Sequence, residues 1–322
     1  MRKKRRQHPP LLHSLITFCY DYGMLDYRIY TFLTVCQYMN FTRAAEALHI
    51  TQPGVSQHIH RLEREYGVTL FEQTGKTLVL TPAGKILCRT MQVMANDEQR
   101  LRQKLAQATE RQRLDIGVTM TIGEYAINDA LAQFIHAHPA MDIHVYVANT
   151  HELKVMLQQG TISFALVEGY FADSDYDSLP LCTEDFIAVC CAGHQFHTPP
   201  HSLRDLTGET LILREPGSGT RRILENALAT AGLTTDDFAA RVEIETMHSI
   251  ISLVQRDCGI TFLYQMAAAR ELAADRLRIL PLDDFRVRHD FTFIWNKHSA
   301  FQDEIITTCQ ELRQGYASPC SP

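Results

Sequence analysis

Between Phe41 and Arg64 the chain reads FTRAAEALHITQPGVSQHIHRLER, and this stretch leaves little choice of local structure. Ala44, Ala45 and Leu48 give one short helix a small apolar face, with Thr42 placed to cap it. His49 and Ile50 make a turn. Thr51 caps a second helix, and Pro53 sits in its first turn, where a missing N–H does no harm. Val55, Ile59 and Leu62 fall at i, i+4 and i+7, an inward stripe. Pro53, Ser56, Gln57 and His60 fall at i, i+3, i+4 and i+7 on another face, with short polar groups suited to base edges. Two helices so joined form a helix-turn-helix, whose second helix enters the major groove of DNA. Taken alone, an ordinary helical hairpin with a solvated polar face is the commoner explanation, so the flanking segments decide.

Upstream, Ile29, Phe32, Leu33 and Cys36 mark a helix that packs on the pair. Downstream, Gly67 ends the second helix and VTLFEQTGKTLVLT reads as a two-stranded hairpin with Thr74-Gly75 at the turn. Such a hairpin is a wing, with Gln73, Thr74 and Lys76 at its tip. Thr81-Pro82 then opens a long helix running to about Ala108. Leu87, Met91, Met94, Leu101, Leu105 and Ala108 follow a heptad seam, in which Glu98 is the one position that is not apolar. The seam predicts a helix that pairs with a copy of itself; the alternative is a single amphipathic helix packed on its own domain. Residues 109–113 form a polar linker.

From Leu114 the pattern changes. LDIGV, DIHVYVA and ISFALVE read as strands separated by two helices, one ending near Pro139 and one closed by Gly160. This βαβαβ run calls for a parallel sheet covered on both faces. After EDFIAVCC the alternation restarts with TLILRE, a helix over 220–231, RVEIE, a helix over 247–257, GITFLY and LRILPL. DFTFIW and a helix over 299–314 close the chain. Two α/β lobes, each with its own sheet, place a ligand cleft between them, at strand C-terminal ends and helix N-termini.

At 322 residues the chain is long enough for two or three domains. The net charge of −6 conceals a polarity: residues 1–113 hold 17 Lys and Arg against 9 Asp and Glu, while the remainder is acidic. That is the balance of a nucleic-acid-binding end on a soluble sensor or enzyme. Five of those cations lie in the run Arg2 to Arg6, and residues 24–82 carry five of each sign, so DNA affinity there needs well-placed contacts and repeated subunits. The nine cysteines include no CxxC pair, which fits reduced thiols in a cytoplasmic protein and no structural zinc. Residues 1–23 read as a disordered basic extension before a functional start at Met24. Their apolar run is broken by His13 and Ser14, unlike a signal peptide.

With these residues in view the chain resembles the LysR-type transcriptional regulators from about Met24 to the C-terminal helix. The resemblance rests on FTRAAEALHITQPGVSQHIHRLEREYGVTLFEQTGKTLVLTPAG and REPGSGTRRILENALATAGL. The second segment, with GVTMTIGEY and ALVEGY, is similar to the subgroup that controls sulfite reduction and cysteine biosynthesis. The resemblance implies a mixed fold: a winged helix-turn-helix over 24–82, a linker and dimerisation helix over 83–113, and a periplasmic-binding-protein-like effector domain over 114–322. One lobe of that domain would take 114–184 and 286–315, the other 185–285. It implies dimers assembling into homotetramers on interrupted palindromes, with double-stranded DNA, a small effector and RNA polymerase as partners. In matching positions Gln52, Pro53, Ser56 and Gln57 face DNA, with Lys76 on the wing; Thr42, Arg43, Thr51 and His60 border them. The family usually places Arg where this chain has Gln73.

Glu215-Pro216-Gly217-Ser218-Gly219-Thr220 precedes a helix, so N–H groups, hydroxyls and the helix dipole converge there. The loop lacks the Lys of a nucleotide-hydrolysing P-loop. Thr119 and Thr121 follow the first strand, and Glu168 ends the third. Thr246 starts a further helix. These residues (Thr119, Thr121, Glu168, Ser218, Gly219, Thr220 and Thr246) form the candidate effector site, for an oxyanion or sulfur metabolite. The structural alternative is that Ser218 or Thr220 simply caps its helix. His194, His197 and His201 are better read as a polar loop than as metal ligands, and no cofactor or catalytic constellation is expected. Cys182, Cys190 and Cys191 offer a thiol-switch alternative. An α/β enzyme or binding protein with a fused helical domain is the rival from another class.

Overall fold

The computed structural model describes residues 24–75, 77–106, 112–168 and 175–316. The basic extension over 1–23, Lys76 and most of the polar linker lie outside them. Contacts divide the chain into two units that meet between Gln103 and Lys104.

In the first unit, α1 (Tyr27–Tyr38), α2 (Phe41–Leu48) and α3 (Gln52–Tyr66) surround one core of Ile29, Phe32, Val35, Ala44, Ala45, Leu48, Val55, Ile59 and Leu62. Burying each large aliphatic or Phe side chain is worth about 1.5–3 kcal/mol. The cap of α2 is Asn40, not Thr42: the extended Asn40 backbone lets its side chain accept from Arg43 N at 3.0 Å, while Thr42 falls inside the helix. Thr51 caps α3 by accepting from Gly54 N, and Gly67 closes it in the left-handed region.

The wing is β1 (Phe71–Thr74) paired with β2 (Thr77–Leu80), with Phe71 opposite Leu80 and Thr74 opposite Thr77. Thr74 therefore belongs to the strand and the turn starts at Gly75, one residue later than the sequence pattern suggests. Gly75, at φ 63°, supplies the positive φ that a two-residue hairpin turn requires.

The long helix α4 (Pro82–Ala106) is capped by the Thr81 hydroxyl, which accepts from Gly84 N at 3.0 Å. A Cβ at Gly84 would stand 2.1 Å from the Leu70 carbonyl oxygen, so only glycine lets helix and wing meet this closely. Leu87, Cys88 and Met91 pack against the unit's own core. Glu98 is buried and accepts from Met24 N at 2.6 Å, Tyr30 Oη at 2.6 Å and Arg102. The expected seam is thus divided. Leu87, Met91 and Glu98 clasp their own domain, whereas Met94 and Leu105 stay exposed, Leu105 at 67%.

The second unit is built on a mixed sheet. β3 (Arg113–Val118) lies between β4 (Asp142–Val147) and β5 (Phe164–Glu168), all parallel. β11 (Val287–Asn296) runs antiparallel to β5 and to the sixteen-residue β6 (Tyr176–Cys191). The far end of β6 pairs with β9 (Thr261–Tyr264) and β10 (Leu277–Ile279). β7 (Thr210–Leu213) and β8 (Ala240–Glu243) are parallel, and a bridge from Leu211 to Ile260 carries them onto β9. The two lobes therefore share strands through β6 rather than owning separate sheets. Only the last part of β6, EDFIAVCC, reads as a strand in the sequence. Pro180 and the register shift at Phe291/Thr292 disguise its first half.

The helices α5 (Met120–Tyr125), α6 (Asn128–Ala137), α7 (Thr150–Gln158), α8 (Gly219–Thr230), α9 (Met247–Gln255), α10 (Gln265–Ala273) and α11 (Gln302–Gln314) cover this sheet. Leu153 and Leu157 of α7 bury against Ala165, Val167 and Ile294. Phe134 of α6 and Leu312 of α11 join the main core with Ile116 and Phe164. α6 buries Ala130 and Phe134 and leaves Ile135 exposed. α10 follows β9 with no turn signal between them, and for that reason the sequence pattern does not reveal it.

Candidate functional site

The first unit presents one polar surface along α3. Val55, Ile59 and Leu62 are fully buried, which turns Gln52, Pro53, Gln57 and His60 outward; Ser56 is half-buried beside them. Gln52 Nε2 donates to Ser56 Oγ at 3.0 Å, so the two side chains already stand together. His60 is tied to Glu63 at 2.9 Å. Thr42, Arg43 and Thr51 are exposed at the starts of α2 and α3. Lys76 falls outside the described residues.

Behind this surface lies a set of contacts that the sequence pattern did not reveal. His58 meets Thr31 Oγ1 at 3.0 Å and the Tyr27 ring edge-on at 4.9 Å. Burial, then the nearby Arg28 charge, push the His58 pKa down, so it braces α3 against α1 as a neutral ring. Arg28 bonds Asp26 and Glu65, and that hydrogen bond holds the Asp26 carboxyl down at about 2.

The second unit gathers a buried polar cluster where β3, β5 and β7 end and α8 begins. Glu168 closes β5 and is 3% exposed. Thr119 stands at the start of α5 without capping it; its hydroxyl donates to Glu168 Oε2. Thr220 Oγ1, from the first turn of α8, donates to Glu168 Oε1 at 3.2 Å. The carboxyl therefore joins the ends of β3 and β5 to the start of α8. A Cβ at Gly219 would lie 2.7 Å from the Glu168 carbonyl oxygen, and glycine is what admits α8 to this contact. Burial raises the Glu168 pKa to about 7, against the pull of Arg214 and the Thr220 hydrogen bond.

Several buried donors in these segments make no hydrogen bond among the described residues: Ser218 Oγ, Thr121 Oγ1, Thr150 Oγ1 and Arg214 Nη1. Ser218 occupies the N-cap position of α8 but does not cap it, and neither does Thr220, so the capping alternative fails here. Arg214 spends Nε and Nη2 on Glu215 at 2.7 and 2.9 Å. Buried polar groups are almost always paired, so such a set is unusual for a folded interior. Thr246 starts α9 exposed, and no hydrogen bond among the described residues ties it to the cluster. Arg214 and Thr150 were missed in the sequence. The available signal was a charge ending the buried strand TLILR and a hydroxyl opening α7.

The remaining constellations are structural. His194 lies 2.5 Å from Asp257 and 3.3 Å from Glu209, and its carbonyl accepts from Arg278. Cys190 is buried and Cys191 Sγ points to the Gln255 carbonyl. Burial raises Cys190 to about 11 and Cys182 to about 12, which keeps both as unreactive thiols at neutral pH.

A helix-turn-helix with a wing, a long helix and a two-lobed α/β unit with a polar cluster between lobes matches two family models. Residues 27–85 match the bacterial regulatory helix-turn-helix protein of the lysR family, and residues 107–315 match the LysR substrate binding domain. The chain belongs to the LysR family. It is a DNA-binding transcriptional regulator with an effector-binding domain. Among relatives, the HTH-type regulator CysL of Bacillus subtilis is 29% identical over 299 residues, covering 89% of this chain and 96% of that protein. CfxR of Cupriavidus necator is 30% identical over 254 residues, covering 77% and 78%. In fold, a full-length OxyR variant from Pseudomonas aeruginosa aligns with TM-score 0.54 at 23% identity, over 88% of this chain and 98% of that one. No helix among the described residues is long and apolar enough to cross a membrane.

Proposed function

We propose that this LysR-type regulator is a cytoplasmic, non-catalytic switch whose effector is a small oxyanion or a metabolite of sulfur assimilation held between the lobes. The observation that carries the reading is the cluster at Glu168. Two lobes meet there through Thr119 and Thr220, with the unbonded donors Ser218 Oγ and Arg214 Nη1 beside them at a helix N-terminus. The likeness to CysL over nearly its whole length supports the sulfur subgroup. The raised thiol pKa values of Cys182 and Cys190 speak against peroxide sensing at those positions.

Calorimetric titration of the full chain with sulfate, sulfite, thiosulfate and O-acetylserine tests the assignment. One of them should bind, and Thr220→Val should weaken it at least tenfold. Absence of heat from all four sinks the sulfur reading.

On the DNA side, Gln52, Pro53, Ser56 and Gln57 read base edges, flanked by Thr42, Arg43, Thr51, His60 and Lys76. Two copies joined through α4, assembling to a tetramer, bind the two halves of an interrupted palindrome. Ligand binding shifts the balance between two arrangements of that assembly, and so its action on RNA polymerase, by differential affinity. Gel-shift titration on DNA upstream of the regulator's own gene should show Gln52→Ala and Ser56→Ala each costing about 1–3 kcal/mol. Undiminished binding by both variants removes α3 from the groove.

A further inference from the structure

The oxyanion site carries an acid at its centre. Thr119 and Thr220, the hydroxyls that would hold an anion, both already donate to Glu168, one from each lobe. The carboxyl is 3% exposed, so no bulk water separates it from the cluster. Resting on the oxyanion reading above, we propose that Glu168 is an internal stand-in for the effector: its carboxylate holds the lobes together in the ligand-free protein, and an anion takes its place by binding together with one proton, which Glu168 accepts.

Two like charges in one enclosed site cannot both stay ionised without a strong shift of one titration. An anion entering beside ionised Glu168 would also lose the two hydroxyl donors to it. Protonation resolves both problems. The proton comes from solvent, the carboxyl becomes neutral, and one of its oxygens turns from acceptor to donor. Thr119 and Thr220 are then released to the incoming anion, alongside Ser218 Oγ and Arg214 Nη1, which have no hydrogen-bond partner among the described residues.

The charged neighbours pull in both directions: Arg214 draws Glu168 toward its ionised form and Glu215 pushes it toward the neutral one. Arg214 and Glu215 face the site from the end of β7 and pair with each other. Tyr264, at the end of β9, stays a neutral phenol, held so first by burial and then by the charge of Glu168. Glu168 itself holds its proton up to about 7, so protonating it near neutrality costs little. The regulator would then report anion and acidity jointly.

Sulfate and thiosulfate are fully ionised across the neutral range, so any proton taken up on binding them belongs to the protein. Full-length protein is titrated with each between pH 6 and 8.5, in buffers of different ionisation enthalpy. The expected result is little proton uptake at pH 6, rising to one proton per anion above about pH 8, and an affinity that falls about tenfold per pH unit above 7. Glu168→Gln should bind with the affinity of the parent at pH 6, at every pH, with no proton uptake. Binding by the parent that is independent of pH and takes up no proton overturns the exchange and leaves the oxyanion reading standing. No binding of either anion by parent or variant at pH 6 overturns the exchange, and the effector reading falls with it when sulfite and O-acetylserine give no heat either. O-acetylserine binding that tightens as pH rises and vanishes in Glu168→Gln would make Glu168 an ionised partner for an ammonium group, which also overturns the exchange. The proton count is read on the parent protein, so the result stands even if the variant folds poorly.

Discussion

Glu168 titrates near 4.5 when solvated and near 7 in the fold, because burial outweighs the pull of Arg214 and the hydrogen bond from Thr220. The sign of its effect on stability follows. Below 4.5 both folded and unfolded chains carry the proton. Between 4.5 and 7 only the folded chain keeps it, so stability falls as pH rises, and above 7 the loss is complete. A shift of this size corresponds to about 3 kcal/mol. Glu168→Gln should therefore unfold at a higher temperature than the parent at pH 8, with the gap closing at pH 4. Thermal unfolding at the two pH values checks this, and a gap that does not change with pH would mean the carboxyl is more solvated than its surroundings indicate. Glu98 is the opposite case. It is a buried acid whose pKa is lowered, because burial is outweighed by donors from Tyr30, Met24, Arg102 and Leu25. One residue is kept ready to take a proton and the other is held charged, because Glu168 is the more deeply buried and Glu98 has the more N–H and O–H groups aimed at it.

At the scale of elements, α4 carries two duties on two faces. Its inner face bonds the start of α1 through Glu98 and packs Leu87 and Met91 on the winged domain. Glu98→Ala removes a shared acceptor of two backbone N–H groups, the Tyr30 hydroxyl and Arg102, and should destabilise the first unit by about 1–3 kcal/mol in urea unfolding. Its outer face keeps Met94 and Leu105 exposed, with Leu101 half-buried near them. A helix of 25 residues with an open apolar edge is suited to pairing with a second copy. Leu101→Glu is expected to yield a monomer in sedimentation and to abolish operator binding while leaving the thermal unfolding of the winged domain intact. A monomeric variant that still binds DNA normally would show that pairing through α4 is not required.

For the whole molecule, charge is distributed by task. The first 113 residues carry the excess of cations and the rest the excess of anions, yet residues 24–82 are balanced. Operator affinity should then fall steeply between roughly 50 and 200 mM salt, since phosphate contacts displace counterions, and should depend on two domains acting together. Fluorescence anisotropy over that range measures the slope; a flat curve would argue against phosphate contacts. Much of the architecture was legible beforehand. Helical spacing at Val55, Ile59 and Leu62, the caps at Thr51 and Thr81 and the βα alternation after Leu114 are local signals, set by chain periodicity and by which side chains satisfy helix ends. The polar surface of α3 follows from the same periodicity, since burying one stripe points the other outward. Tertiary structure alone decided three things. It joined the lobes through β6, whose strand pairing depends on residues more than a hundred positions away. It turned half of the α4 seam inward, because Glu98 finds its donors on α1. And it placed Thr119, Glu168 and Thr220 together with Arg214 near them, from segments with no sequence proximity, so that burial could give one carboxyl a proton affinity that no local pattern encodes.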